Sequence, residues 1–338
     1  MSSEVSRLAH AVLFPVIETL GIDDHIARFL ENGGRSLLFG ETGEEYVTGK
    51  MSEQKLKHET LDAWRDMIET VTARAGKLIL AADADIAAVH RLQGVSAPLP
   101  SRETAQGMSE AELEEAVYAT ACGVVDAGIN LALSPTADVL TGSNSWLEGR
   151  TLADDAKTAS RMVRSYVRGA RRAGLKTTLK HFPGHPVLRG TPGTQEAAVP
   201  CSLNELRAHW GAFRVGIEEG VSAVMMGPAR FEAVQPATAG SLSAELISLL
   251  RKDLEFGGLV MTCDIDHKST IGSRSLGNVT VDSLGAGADL ILLLPKAVPH
   301  IEEVAATIEK AVATGRLDAM RLNAAAAAVF RLADYRPV

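Results

Sequence analysis

The sequence predicts an α/β fold, a closed (β/α)8 barrel of the TIM type in a single domain over residues 1–338. Three observations predict it. Short apolar runs rich in β-branched residues alternate with longer segments of helical period, about eight times over. Such alternation gives right-handed βαβ units and a parallel sheet, and eight units suit a chain of 338 residues. No Pro- or Ser-rich linker and no shift in composition marks a second domain. An open doubly wound sheet is the structural alternative. Against it, no G-x-G-x-x-G follows the first strand, where such a fold would hold a dinucleotide.

Taken in order, the expected strands are 11–17, 36–39, 78–82, 129–133, 176–180, 222–226, 259–262 and 289–294. Between them lie amphipathic segments at 23–31, 55–75, 109–126, 154–173, 203–219, 242–254 and 281–286. Leu61, Trp64, Ile68 and Val71 share one stripe of the second segment. Ser109 with Glu112 three residues on is a capping-box pattern. Helices at 301–313 and 317–333 end the chain.

Composition excludes several classes of function. Hydrophobic residues make up 46% and charged residues 22%, enough apolar material for a large core. The net charge of −8 and the lack of any basic block argue against nucleic acid as a partner. No apolar run approaches the roughly 18 residues of a membrane span, and the N-terminus lacks the pattern of a secretory signal. Three widely spaced cysteines do not form a disulfide framework. The expectation is a reduced, cytoplasmic protein. No metal or cofactor is expected, since the cysteines lack ligand spacing and neither an H-E-x-x-H nor a phosphate-cradling Gly-rich loop occurs.

The most informative stretch runs from Thr177 to His185, TTLKHFPGH. A short strand delivers Lys180 and His181 to its end and then breaks at Pro183 and Gly184. Strand carboxyl ends are where barrels place their chemistry. By the same logic Glu41, Asp83, Ser134, Gly227, Cys263, Asp264 and Pro295 gather at that mouth. Acids, a lysine and a histidine together suit hydrogen bonding to a polyhydroxylated or amide-bearing small molecule.

Lys180-His181-Phe182-Pro183-Gly184-His185 resembles the K-H-F-P-G-H signature of glycoside hydrolase family 3, in particular its single-domain bacterial β-N-acetylglucosaminidases. More loosely, GGRSLLF at 33–39 is similar to the family's second strand, Leu99-Pro100-Ser101 to the end of F-x-x-L-P-S, Ser134 to Asp138 to A-P-V-x-D, and FGGLV at 256–260 to the entry of strand seven. The resemblance implies a (β/α)8 barrel that cleaves terminal β-linked N-acetylhexosamine with retention, through an aspartate after strand seven and an Asp-x-His dyad on the loop after strand five. It further implies sugar contacts from Asp83 and Arg91, which match the ends of D-Q-E-G-G-R-V-x-R, from Arg150 in a G-x-R-S-F-like segment, and from Lys180, His181 and His185.

The departures fall on the chemistry. Asp85 to Ala88 replace E-G-G-R, and Gly227-Pro228 stand where a histidine follows strand six. In the ungapped register Thr191 and Gly193 occupy the dyad positions, and neither transfers protons near neutral pH. The same register puts Cys263 at the nucleophile and Asp264 on the acid after it, while a shift of one residue makes Asp264 the nucleophile. Cys263 is either a thiolate nucleophile activated by Lys180 or His181 or a small apolar filler of the barrel top. Asp266, His267, His185, Arg189 and Glu196 are further stand-ins for the dyad, and the run Gly190 to Gly193 marks a loop able to move. Two functions follow: a barrel that binds a β-linked amino sugar or related glycoside with ordinary hydrolysis in doubt, or an enzyme repurposed around Cys263 or Asp264.

Overall fold

Eight parallel strands form the centre of the computed structural model, which describes residues 3–334. They are β1 (Leu13–Ile17), β2 (Ser36–Phe39), β3 (Ile79–Ala82), β4 (Leu131–Ala132), β5 (Lys176–Phe182), β6 (Ala223–Met226), β7 (Leu259–Thr262) and β8 (Ile291–Leu293). The hydrogen-bonded order is β7-β6-β5-β4-β3-β2-β1-β8. A parallel bridge between Met261 and Leu290 then joins β7 to β8, helped by Thr262 N–H donating to the Leu290 carbonyl at 3.0 Å. The sheet's two ends therefore meet, and the fold is the (β/α)8 barrel.

Strand side chains alternate between two buried layers, as the period of two requires. Ile79 and Ala81, Ala223 and Met225, and Leu259, Met261 and Cys263 fill the barrel interior. Leu80, Ala82, Val224, Met226 and Val260 face the surrounding helices. Cys263, 4% exposed, thus continues the inward series of β7 by one step past the strand. At the opposite end, Ala328, Val329 and Leu332 of the last helix, Ala319–Asp334, join the interior cluster and close the floor. Lys176 Nζ donates to the Leu332 carbonyl there at 2.7 Å.

The expected elements are present, with local differences that have local causes. A helix, Glu4–Ala11, precedes β1 and takes the first residue of the expected strand. The segment 55–75 is two helices, Glu53–His58 and Leu61–Ala75, because Thr60 turns out and caps the second by accepting from the Ala63 N–H. Likewise 203–219 divides into Leu203–Ala208 and Gly211–Glu218. The segment 281–286 is the end of a longer helix, Leu276–Ala286, capped by Ser275. Ser109 and Glu112 form the expected reciprocal capping box. A helix at Gly43–Thr48 and a small sheet of Ala198–Val199, Arg230–Phe231 and Gln235–Ala239 were not expected; these pieces are too short to show a period.

Among the described residues no helix is long and apolar enough to cross a membrane.

Candidate active site

The strand carboxyl ends and their loops enclose a cavity of about 530 Å³. Its wall includes Glu41 and Tyr46 after β2, Asp83 after β3, Trp146, Lys180 and His181 at the end of β5, Thr191 and Gly193, and Cys263, Asp264 and His267 after β7.

Lys180 Nζ donates to Asp83 Oδ1 at 2.5 Å, with both side chains under a tenth exposed. Burial works against charge on either group. The carboxylates of Asp83 and Asp85 overcome it for Lys180 and hold its ammonium well above the usual lysine range. Asp85 is itself fixed by the backbone N–H and hydroxyl of Thr136, at 2.8 and 2.9 Å. Glu41, beside this pair, is pushed up to about 8 by burial and by the Asp83 charge, so it is largely a neutral carboxyl near neutral pH.

His181 is positioned from below by Asp138, which is fully buried. Asp138 Oδ2 accepts from the His181 backbone N–H at 2.7 Å and from Nδ1–H at 2.9 Å. Its Oδ1 accepts the corresponding pair from His185, both at 2.9 Å. Four donors hold the Asp138 carboxyl well below the usual range despite its burial. Burial draws His181 down to about 4, against the pull of Asp138. The ring is therefore neutral at pH 7, with Nδ1 protonated toward Asp138 and Nε2 left as an acceptor. Trp146 packs against it, ring centroids 4.6 Å apart.

On the facing wall Asp264 Oδ2 lies 3.0 Å from His267 Nε2. Burial opposes the imidazolium, but the Asp264 carboxylate raises His267 to about 11, and His267 in turn lowers Asp264. Burial, with Asp264 beside it, pushes the Cys263 thiol up, so it is a thiol near neutral pH. Its Sγ lies 3.8 Å from Asp264 Oδ2.

Seven of the residues expected at the mouth, Glu41, Asp83, Lys180, His181, Cys263, Asp264 and Pro295, border this cavity, and Ser134 and Gly227 do not. Three further residues expected to contact a ligand do not border it either. Arg91 is 2% exposed and turned away, its Nε donating to the Gly40 carbonyl and its guanidinium paired with Glu59 at 2.5 Å. Arg150 stands behind Tyr46, bonded to the Tyr46 hydroxyl with its guanidinium 4.3 Å from the ring centroid. His185 lies fully buried against Asp138. Of the other stand-ins, Arg189 and Glu196 pair outside the wall with Glu232 and Arg230. Asp266 pairs with Lys296 at 3.4 Å. The loop after β5 is tied to the β7 loop by the Ser269 N–H to the Pro192 carbonyl, 3.0 Å. Tyr46 and Trp146 were missed in the sequence, since Tyr46 lies on a helix of only six residues and Trp146 in a turn, and neither carries a periodic signal.

Residues 42–332 match the family described as the glycosyl hydrolase family 3 N terminal domain. The chain belongs to glycosyl hydrolase family 3. A β-hexosaminidase of Xanthomonas campestris pv. campestris is 30% identical over 211 residues, 62% of this chain and 60% of that protein. A Stenotrophomonas maltophilia β-hexosaminidase is 32% identical over 184 residues, 53% of this chain and 54% of the other. The chain thus spans about 60% of the length of the first of these relatives. In fold, the chain is similar to a β-N-acetylhexosaminidase from Beutenbergia cavernae, with a TM-score of 0.85, 20% identity and 99% of each chain covered. It is likewise similar to a family 3 β-N-acetylglucosaminidase from a Paenibacillus species, with a TM-score of 0.86, 22% identity, and 98% of this chain and 62% of that one covered. At these identities the structures speak for the barrel.

Proposed function

We propose that this family 3 barrel binds a β-linked N-acetylhexosaminide or a related glycoside at its mouth and does not carry out ordinary retaining hydrolysis. One observation carries the reading: the inward position at the top of β7 is the Cys263 thiol, while Asp83, Lys180 and His181 line the same cavity. Ordinary retention of the two-carboxylate kind uses a carboxylate nucleophile and an acid/base flanking the glycosidic bond. In the ungapped register the nucleophile position is a neutral thiol, and the dyad positions are Thr191 and Gly193.

The binding half rests on complementary chemistry. Lys180 and Asp83 offer a charged donor and acceptor, His181 Nε2 an acceptor, and the Glu41 carboxyl a proton to share. Trp146 supplies an aromatic surface for the apolar face of a sugar ring. Arg150 supports the site through Tyr46, and His185 supports it through Asp138. A second reading, a repurposed enzyme, is favoured by Asp264, a carboxylate on the cavity wall beside Cys263.

Calorimetric titration with N-acetylglucosamine tests the binding. Saturable heat that Lys180→Met removes supports it. No heat, or heat indifferent to Lys180, rejects an amino sugar as the ligand.

A further inference from the structure

Cys263, Asp264 and His267 are brought together by the way the chain leaves β7. Cys263 points inward as the last step of the strand's alternation, and Asp264 follows at the cavity wall. The His267 N–H donates to the Asp264 carbonyl at 3.2 Å, so a tight turn folds the imidazole back over the strand end. The turn is anchored below, where the hydroxyls of Ser269 and Thr270 donate to the Pro228 carbonyl at 2.9 and 3.2 Å. One sulfur, one carboxylate oxygen and one ring nitrogen thereby fall within 4.8 Å of one another.

We propose that these three residues form a mononuclear site for a divalent transition-metal ion, with zinc the best match, open to the cavity. Tetrahedral zinc takes bonds of about 2.3 Å to sulfur and about 2.0–2.2 Å to nitrogen and oxygen, which sets its donors roughly 3.3–3.6 Å apart. The separations are 3.8 Å from Cys263 Sγ to Asp264 Oδ2 and 3.0 Å from Asp264 Oδ2 to His267 Nε2, with the sulfur and the ring nitrogen within 4.8 Å of each other. A mixed sulfur, nitrogen and oxygen set favours zinc over the hard cations magnesium and calcium, which take oxygen ligands.

Two further observations concern access. All three residues border the same cavity, so a fourth ligand comes from water or from a molecule held there. A Cβ at position 193 would lie 3.8 Å from His267 Cδ2 and Nε2, so the glycine leaves that side of the ring uncovered. His267 Nε2 faces Asp264 Oδ2 at 3.0 Å, so an ion bound here takes the place of the proton shared between them, while Nδ1 is buried without a protein partner. The sequence concealed the site because a single cysteine supplies the sulfur, without the paired spacing of structural zinc motifs.

The site stands independently of the sugar reading. The test is titration of the purified, chelator-treated chain with Co²⁺ in the absence of sugar. A thiolate-to-cobalt charge-transfer band with d–d bands of tetrahedral intensity, saturating at one equivalent, is expected. It persists in the Cys122→Ser/Cys201→Ser double variant, in which Cys263 is the remaining thiol of three. It disappears in Cys263→Ser, and His267→Gln weakens binding by at least about 100-fold, since even outer-shell changes cost 10–100-fold. Absence of the band from the double variant overturns the proposal, whether or not the other two variants fold. Its survival in Cys263→Ser, or undiminished affinity in a folded His267→Gln, does so as well. A negative result leaves sugar binding untouched, because the calorimetric titration with N-acetylglucosamine is run on the same chelator-treated chain without metal.

Discussion

Lys180 and Asp83 form a 2.5 Å ion pair sealed into the barrel mouth, joining the ends of β5 and β3. Breaking a buried pair on one side leaves an uncompensated charge, which costs about 3–5 kcal/mol, whereas replacing both partners with apolar residues is often close to neutral. Asp83→Ala is therefore expected to lower stability by roughly that amount in denaturant unfolding. Asp83→Leu combined with Lys180→Met should be more stable than Asp83→Ala and still bind no sugar. A double variant that binds normally would remove the pair from the site.

Cys263 points into the barrel, and in the ungapped register of the family resemblance it takes the place of an aspartate. Cys263→Asp restores a carboxylate there without restoring the dyad. An aryl glycoside with a good leaving group needs little help from a general acid. The variant should therefore release aryl alcohol from 2,4-dinitrophenyl N-acetyl-β-glucosaminide faster than the native chain, by a factor of at least about ten given the usual weight of nucleophilic groups. Equal rates would argue that Cys263 is off the reaction axis.

Glu41 titrates at about 8 in the folded chain and near 4.3 when unfolded. A carboxyl raised on folding favours the native state fully below about pH 4.3, and that contribution is lost as pH rises to about 8. Glu41→Gln, a mimic of the neutral form, should leave the melting temperature nearly unchanged at about pH 5 and raise it at about pH 8. Thermal scans of both proteins at the two pH values check this. A stabilisation that is larger at the lower pH has the wrong sign for the account.

Gly227 has a packing role with consequences at the site. A Cβ there would lie 2.3–2.4 Å from the His185 ring. That ring is fully buried and fixed by Asp138, so it has no room to give. Gly227→Ala should cost about 1–3 kcal/mol by overpacking. It should also weaken sugar binding, because His185 and His181 hang from the same carboxylate. Unfolding and calorimetry on the variant measure the two effects. Full affinity at reduced stability would separate His185 from ligand binding.

The barrel was legible because its signals are periodic: the strands at 36–39 and 259–262 coincide with expectation, and Ser109 with Glu112 opens its helix as the capping pattern requires. Along β7 the sequence left two registers open, with Cys263 or Asp264 at the nucleophile position, and in the structure alternation carries Cys263 inward. What the sequence withheld depends on orientation beyond the strands. Arg91 and Arg150 match a sugar-binding pattern in order along the chain, yet Glu59 and Tyr46 turn them from the cavity. Asp138 was visible as part of a strand-end motif, but its double contact with His181 and His185 arises only when β4 and β5 lie side by side. The approach of His267 to Cys263 is set by one turn, which has no period to read.

The proposed function pairs glycoside binding at this mouth with the absence of ordinary hydrolysis. The most direct measurement is made on one sample of the native chain, incubated with p-nitrophenyl N-acetyl-β-glucosaminide for turnover and titrated with N-acetylglucosamine for binding. Saturable binding is expected, with p-nitrophenol release no faster than in the protein-free control. Turnover that Asp264→Asn abolishes would contradict the proposal and make Asp264 the nucleophile of a working glycosidase.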